Sequence, residues 1–163
     1  MDNEIAIEYC REAARIKEDS LLSAKGHYNV AARWQYAHLW IGIPNAVLAA
    51  IAGLSAFQGC DLVAGALAIL VAAITSISTF LNPSGRSSVH KRCAAKYHAL
   101  RNKARIFINI TYRRSQSEYE LNAKFEEMVS KRDDLNATSP QIPEWAYKKA
   151  KAGVEAGESS YRE

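Results

Sequence analysis

Two uncharged apolar runs, Leu39 to Phe57 and Leu62 to Leu81, are separated only by Gln58, Gly59, Cys60 and Asp61. At a helical rise of about 1.5 Å per residue, each run reaches about 28 to 30 Å, the thickness of the hydrocarbon layer of a bilayer. A helix of that length in a water-soluble bundle normally keeps a polar stripe at 3.6-residue spacing. Neither run has a charged residue with which to make one. Each run is therefore expected to cross a membrane once, and so short a connection makes the two helices antiparallel neighbours with both flanks on one side. The expected fold is an all-α membrane protein, an antiparallel two-helix transmembrane hairpin with cytoplasmic flanking helices.

The chain then divides into a helical leader (1–38), a first span (39–57), an extracytoplasmic loop (58–61) and a second span (62–81), followed by basic amphipathic helices (82–135) and a linker with a polar tail (136–163). Lys25, Arg33, Arg86, Lys91 and Arg92 all flank one end of the spans, whereas the loop offers only Asp61. Lys and Arg near span ends are retained on the cytoplasmic side, so both termini are expected in the cytoplasm and the spans in the inner (plasma) membrane. A secretory leader does not fit, because a charged stretch precedes the first run.

The net charge of +4 is unevenly placed. Met1 to Ala37 carries five basic and six acidic residues, but Arg86 to Arg114 carries nine basic residues and no Asp or Glu. A block of this kind beside a span is suited to anionic headgroups, each Lys or Arg contributing about 1 kcal/mol. Arg86, His90, Lys91, Arg92 and Lys96 are the expected headgroup or partner contacts. No nucleic-acid motif accompanies the block, so nucleic acid is not the expected partner.

Inside the spans, Pro44 is expected to kink the first helix, and Asn45 beside it needs a hydrogen-bond partner. Small residues recur every fourth position at Ala64, Ala68, Ala72 and Ser76, and again at Ala49 and Gly53, giving strips on which helices pack closely. Thr75, Ser76 and Thr79 make one third of the second span mildly polar, suiting hydroxyl-to-backbone bonds or a narrow wet constriction. Asn45, Ala49, Gly53, Ala64, Ala68, Ala72, Thr75, Ser76 and Thr79 are thus the candidate packing or pore-lining residues. No Asp, Glu, Lys or Arg lies within either span, which argues against a proton relay or a voltage sensor.

Upstream, Ile5, Tyr9, Ala13 and Ile16 share a helical face, and a second stretch runs from Ser23 through Tyr28, Ala32 and Tyr36, with a break of the helix expected at Gly26. Trp34, Tyr36, His38 and Trp40 suit an interfacial aromatic belt. Downstream, Asn82 to Gly85 read as a turn, Ser87 or Ser88 as a helix cap, and Val89, Cys93, Tyr97, Leu100, Ala104 and Phe107 as the apolar stripe of a cationic helix. That stripe is expected to pack on the upstream helix. Ser115 to Ser117 reads as a hinge, Ser117 to Leu135 as another helix, Asn136 to Pro143 as a linker, and the rest as a short docking helix with a disordered end.

His90, Cys93 and His98 are the only cluster resembling metal ligands, but the two histidines are two turns apart and a fourth ligand is missing, so neither metal nor cofactor is expected. Cys10, Cys60 and Cys93 lie too far apart for a disulfide framework and read as free thiols. There is no Gly-rich phosphate loop and no nucleophile elbow, and an enzyme is not expected.

The order of these features, with a helical leader, two closely joined spans, Asn82-Pro83-Ser84 and a basic helix bearing His90, Tyr97 and Leu100, resembles the SLATT family of bacteria. The resemblance covers roughly Ile5 to Leu135 and assigns no catalytic residue. It implies an effector of anti-phage or conflict systems that assembles as a homo-oligomer and opens a pore when a sensor or nucleotide-signalling partner protein is triggered. The competing reading is a membrane-tethered scaffold or binding module whose spans serve only as an anchor.

Overall fold

A computed structural model describes residues 3–112 and 117–159, with side chains from Ile7 onward. Ile5 of the first apolar face, Arg113 and Arg114 of the basic block, Ser115 of the expected hinge and the end of the tail lie outside this description. Among the described residues every regular element is helical: α1 (Asn3–Phe57), α2 (Asp61–Leu81), α3 (Pro83–Ile106), which widens into a π-helical turn (Phe107–Thr111), α4 (Glu118–Thr138) and α5 (Glu144–Glu155). Two stretches are long and apolar enough to cross a membrane. The chain forms two compact units, one of residues 1–30 with 89–163 and one of residues 31–88.

The first unit buries three helical stripes against one another. Ala13, Ile16 and Ala24 of α1 meet Tyr97, Leu100, Ala104 and Phe107 of the α3 stripe and Leu121, Met128 and Leu135 of α4. On α4 these three residues repeat every seventh position, the spacing that returns a side chain to one face after two turns. Tyr9 packs edge-on against Phe125, with ring centroids 5.1 Å apart, and donates a 2.8 Å hydrogen bond to Asn122 Oδ1. Ala146 and Ala150 are the buried face of α5, and Asn29 Nδ2 donates to the Ala146 carbonyl at 3.2 Å. The helix ends on Gly157 at φ 82°, whose N–H donates to the Val154 carbonyl while that of Glu158 donates to the Gly153 carbonyl. This is the paired carbonyl capture of a left-handed C-cap.

Several expectations about this unit are corrected. Gly26 does not break the helix, because α1 runs through it without interruption. A β-carbon there would come within 3.0 Å of Ile142 Cγ2, so the glycine serves close packing and not a break. Tyr28 and Tyr36 are exposed, and the buried face of this stretch is Ser20, Ala24, His27 and Ala31. α4 continues to Thr138, three residues into the expected linker, and the N–H of Ser139 caps the carbonyl of Leu135.

In the second unit the less exposed positions of α1 from Ile41 onward are Ile41, Asn45, Leu48, Ala52 and Ser55, and those of α2 are Ala64, Leu67, Val71, Ile74, Ser78 and Leu81. Both sets alternate steps of three and four, the seam of a pair of packed helices. Asn45 Nδ2 donates to Thr75 Oγ1 at 2.8 Å. Outside that seam the unit leaves its large apolar residues uncovered, and α2 has no buried residue at all. The cap of α3 differs from expectation as well. Pro83 stands at the first helical position, where its missing N–H costs nothing, and Asn82 precedes it in the left-handed region at φ 44°, accepting the Gly85 N–H on Oδ1 at 3.0 Å. Ser87 Oγ instead donates to the Ala31 carbonyl at 2.9 Å and Ser88 Oγ to that of Ser84 at 3.0 Å.

Leu100 and Leu121 are fully buried, so Leu100→Ala or Leu121→Ala should cost about 2–5 kcal/mol, seen as a lowered melting temperature of the detergent-solubilised chain. Ile69→Ala, on the uncovered surface of α2, should leave the melt within about 0.5 kcal/mol of the parent.

Candidate functional site

The buried polar groups of the first unit converge on a pair of histidines. His27 of α1 is 1% exposed and His90 of α3 is 8% exposed, and their Nδ1 atoms face each other at 2.8 Å. The rings lie 5.1 Å apart at 43°. Tyr97, two helical turns along α3 from His90, stacks on His27 at 5.6 Å and 19°, and its hydroxyl donates to Asn136 Oδ1 on α4 at 2.9 Å. One buried network therefore links α1, α3 and α4. Ser20 Oγ, on the same face of α1, is buried with no hydrogen-bond partner among the described residues.

Two Nδ1 atoms at this separation hold one proton between them, so one imidazole donates and the other accepts. Charging either ring means placing a cation in an apolar interior. Burial, and secondarily the neighbouring His90, pushes His27 down to about 4, and burial lowers His90 also. Both rings are neutral at pH 7. The pair acts as a polar bolt between two helices whose surrounding contacts are apolar or small.

This arrangement bears on the metal ligands weighed from the sequence. His90 turns to His27 and not to Cys93 or His98, and His98 is exposed with Asn102 Nδ2 3.5 Å from its ring. No group of three or more His, Cys, Asp or Glu suited to a metal occurs among the described residues. The assignment of His90 as a headgroup contact is corrected, since its ring is buried. Lys91, Arg92 and Lys96 are exposed. Arg86 is exposed too, with its guanidinium 5.0 Å from the centre of the Trp34 ring and its Nε donating to the Leu81 carbonyl at 2.9 Å. His27 was not singled out from the sequence. The signal lay in the spacing of Ala13, Ile16, Ser20, Ala24, His27 and Ala31, a helical face that carries the histidine inward.

The candidate span residues fall into two groups. Asn45 and Ala64 sit on the seam of the second unit, half-buried, whereas Ala49, Gly53, Ala68, Ala72, Thr75, Ser76 and Thr79 are exposed. A β-carbon on Gly53 would meet nothing within 4 Å. The hydroxyls are bonded locally: Ser76 donates to the Ala72 carbonyl and Thr79 to that of Thr75, each at 2.8 Å. Asn45 Oδ1 is shielded and has no partner among the described residues. Cys10, Cys60 and Cys93 are free thiols.

Comparison with protein-family models, with curated proteins and with solved structures gives no match.

The histidine pair makes the first unit sensitive to acid with a definite sign. An unfolded histidine takes up its proton near pH 6.5, whereas folded His27 resists until about 4. Below pH 6.5 the unfolded state binds more protons, so stability falls as the pH drops from about 6.5 to about 4 and is level above that window. The expected loss is about 2–3 kcal/mol across the window, read from melts of the solubilised chain at stepped pH, and His27→Gln should remove most of that slope.

Proposed function

We propose that this chain is a bacterial membrane effector, a two-span hairpin of the inner membrane with both termini in the cytoplasm, whose copies associate and open a pore when a partner protein transmits a signal. The observation that carries the reading is the position of the small-residue strip on α2. Ala68, Ala72 and Ser76 are exposed, off the seam with α1, and so are Ala49 and Gly53 on α1. Strips of this composition let helices approach closely in lipid, where association depends on van der Waals packing and not on the hydrophobic effect. Two helices cannot enclose a channel, so conduction requires several copies, and these strips are the surfaces free to join them. The resemblance to the SLATT family supports the same reading, and the exposed bases Lys91, Arg92 and Lys96 suit anionic headgroups or an acidic partner.

A second reading, a membrane-tethered binding module, is favoured by one observation: the hydroxyls of Ser76 and Thr79 are satisfied within α2 and Thr75 accepts from Asn45, so this polar third does not depend on a water-filled lumen.

The two readings separate experimentally. Induced expression with a membrane-potential dye, or dye-loaded vesicles carrying the purified chain, should report leakage for the effector. Ala72→Leu or Ser76→Leu should reduce leakage at least tenfold with insertion unchanged, because a bulky side chain wedges the strip open. Replacing both spans by an unrelated hairpin should abolish activity in a pore and preserve it in a tether. Full leakage from both leucine variants would reject this interface.

A further inference from the structure

We propose that α5, with the stretch that leads into it and its C-cap, is a strap that opens from α1 as one unit while α1, α3 and α4 stay packed, and, resting on the effector reading above, that this opening switches the chain on. α5 buries only Ala146 and Ala150, whereas α4 buries Leu121, Met128 and Leu135 in the core. Half-buried Ile142 and Val154 add to the two alanines. The seam beside them is not closed. A space of about 380 Å³ remains between the two helices, lined by Lys25, Tyr28 and Asn29 of α1 and by Lys149, Ala150 and Gly153 of α5. Packed interiors hold few voids larger than a water molecule, so this seam grips loosely.

Polar ties fasten the strap. Asn29 donates to the Ala146 carbonyl, Lys25 pairs with Glu158 at 2.7 Å, and Arg101 donates to the Ser159 carbonyl at 3.3 Å. The tie between full charges is the exposed one, with the Glu158 side chain 66% exposed, so it contributes little and is screened by salt. The connection to α4 lets the strap swing. α4 ends at Thr138 with the Ser139 N–H as its cap, and Pro140 and Pro143 bracket the non-helical stretch before α5. Proline cannot continue a helix and pushes the residue before it out of the helical region, so α4 stays whole while α5 moves. A small buried face, an exposed ion pair and a hinge of its own are the properties of a segment that opens sub-globally. What the strap holds is α1 between Lys25 and Asn29, and the same unbroken helix carries the first apolar run to Phe57. A partner that binds the open form draws the population towards it and so acts on that helix.

Amide hydrogen exchange of the full-length chain in detergent micelles reads the opening. The amides of α5 should exchange together, at least about tenfold faster than those of α3 and α4, and added salt should speed α5 alone. Equal protection of α5 and α4 overturns the strap. Ala150→Glu puts a charge where the alanine is 1% exposed, and should bring α5 to unprotected exchange with α3 and α4 unchanged. Loss of protection in all three helices also overturns it. A lock tests the opposite direction: a β-carbon on Gly26 would lie 3.8 Å from Ile142 Cγ1, so Gly26→Cys with Ile142→Cys can form a disulfide in a chain carrying Cys10→Ser, Cys60→Ser and Cys93→Ser. The oxidised lock should slow α5 exchange about tenfold and a reductant should restore it; a formed disulfide without slowing counts against the strap. In dye-loaded vesicles, Ala150→Glu should leak about tenfold faster than the parent and the oxidised lock more slowly than it. Equal leakage from all three chains overturns the switching role alone, whereas leakage from none overturns it together with the pore reading.

Discussion

The first unit depends on how closely α1 and α3 approach. Alanines at 13, 24, 94 and 104 are fully buried or nearly so, and with so little side chain between them the two backbones come near. That nearness is what forces His27 and His90 into one hydrogen bond. A buried donor or acceptor left alone costs about 1–3 kcal/mol, so each ring is tolerated only because the other faces it. Tyr97 stacks on the pair and reaches across to Asn136, which ties the position of α4 to the same contact. The polar network thus fixes the register of three helices whose apolar contacts, being non-directional, would tolerate sliding.

The second unit follows a different logic. Leu62, Ile69 and Phe80 are 88%, 75% and 89% exposed, and no polar stripe offsets them. At about 25 cal/mol per Å² of apolar surface, a helix pair of this kind in water is strongly driven to find cover. Lipid, or further copies of the same helices in lipid, satisfies that demand without a polar face, and a helix already satisfies its own backbone. The hydrogen bond from Asn45 to Thr75 between the two apolar helices then carries weight beyond its energy, since it selects one register from many equally apolar ones.

Much of this was legible in the sequence, and the residues that misled share a cause. The uncharged runs gave the two long apolar helices, and the spacing of Tyr97, Leu100, Ala104 and Phe107 gave the inward face of α3, because periodicity reports burial directly. Glycine is a poor helix former, so Gly26 taken locally predicts a break, but a long helix tolerates one where a neighbour such as Ile142 must come close. Ser87 has the residue type of a helix cap. Its hydroxyl found the Ala31 carbonyl, a partner 56 residues away that no local pattern contains. His27 was missed for the same reason: a lone histidine on a small-residue face becomes meaningful only when tertiary packing supplies the second ring.

α3 emerges as the element on which these demands meet. Its inward face carries His90, Ala94, Tyr97 and Leu100, and the adjoining face carries Arg92, Cys93 and Lys96. A cationic helix would ordinarily intersperse acids for i,i+4 support, and this one has none, so its stability comes from the buried stripe and the cap at Asn82 and Pro83. Holding the helix from its other side leaves Arg92 and Lys96 exposed as a positive surface at little structural cost. Tyr97 belongs to the inward face and Lys96 precedes it directly, so the exposed bases ride on the same turns of helix that the histidine pair bolts in place.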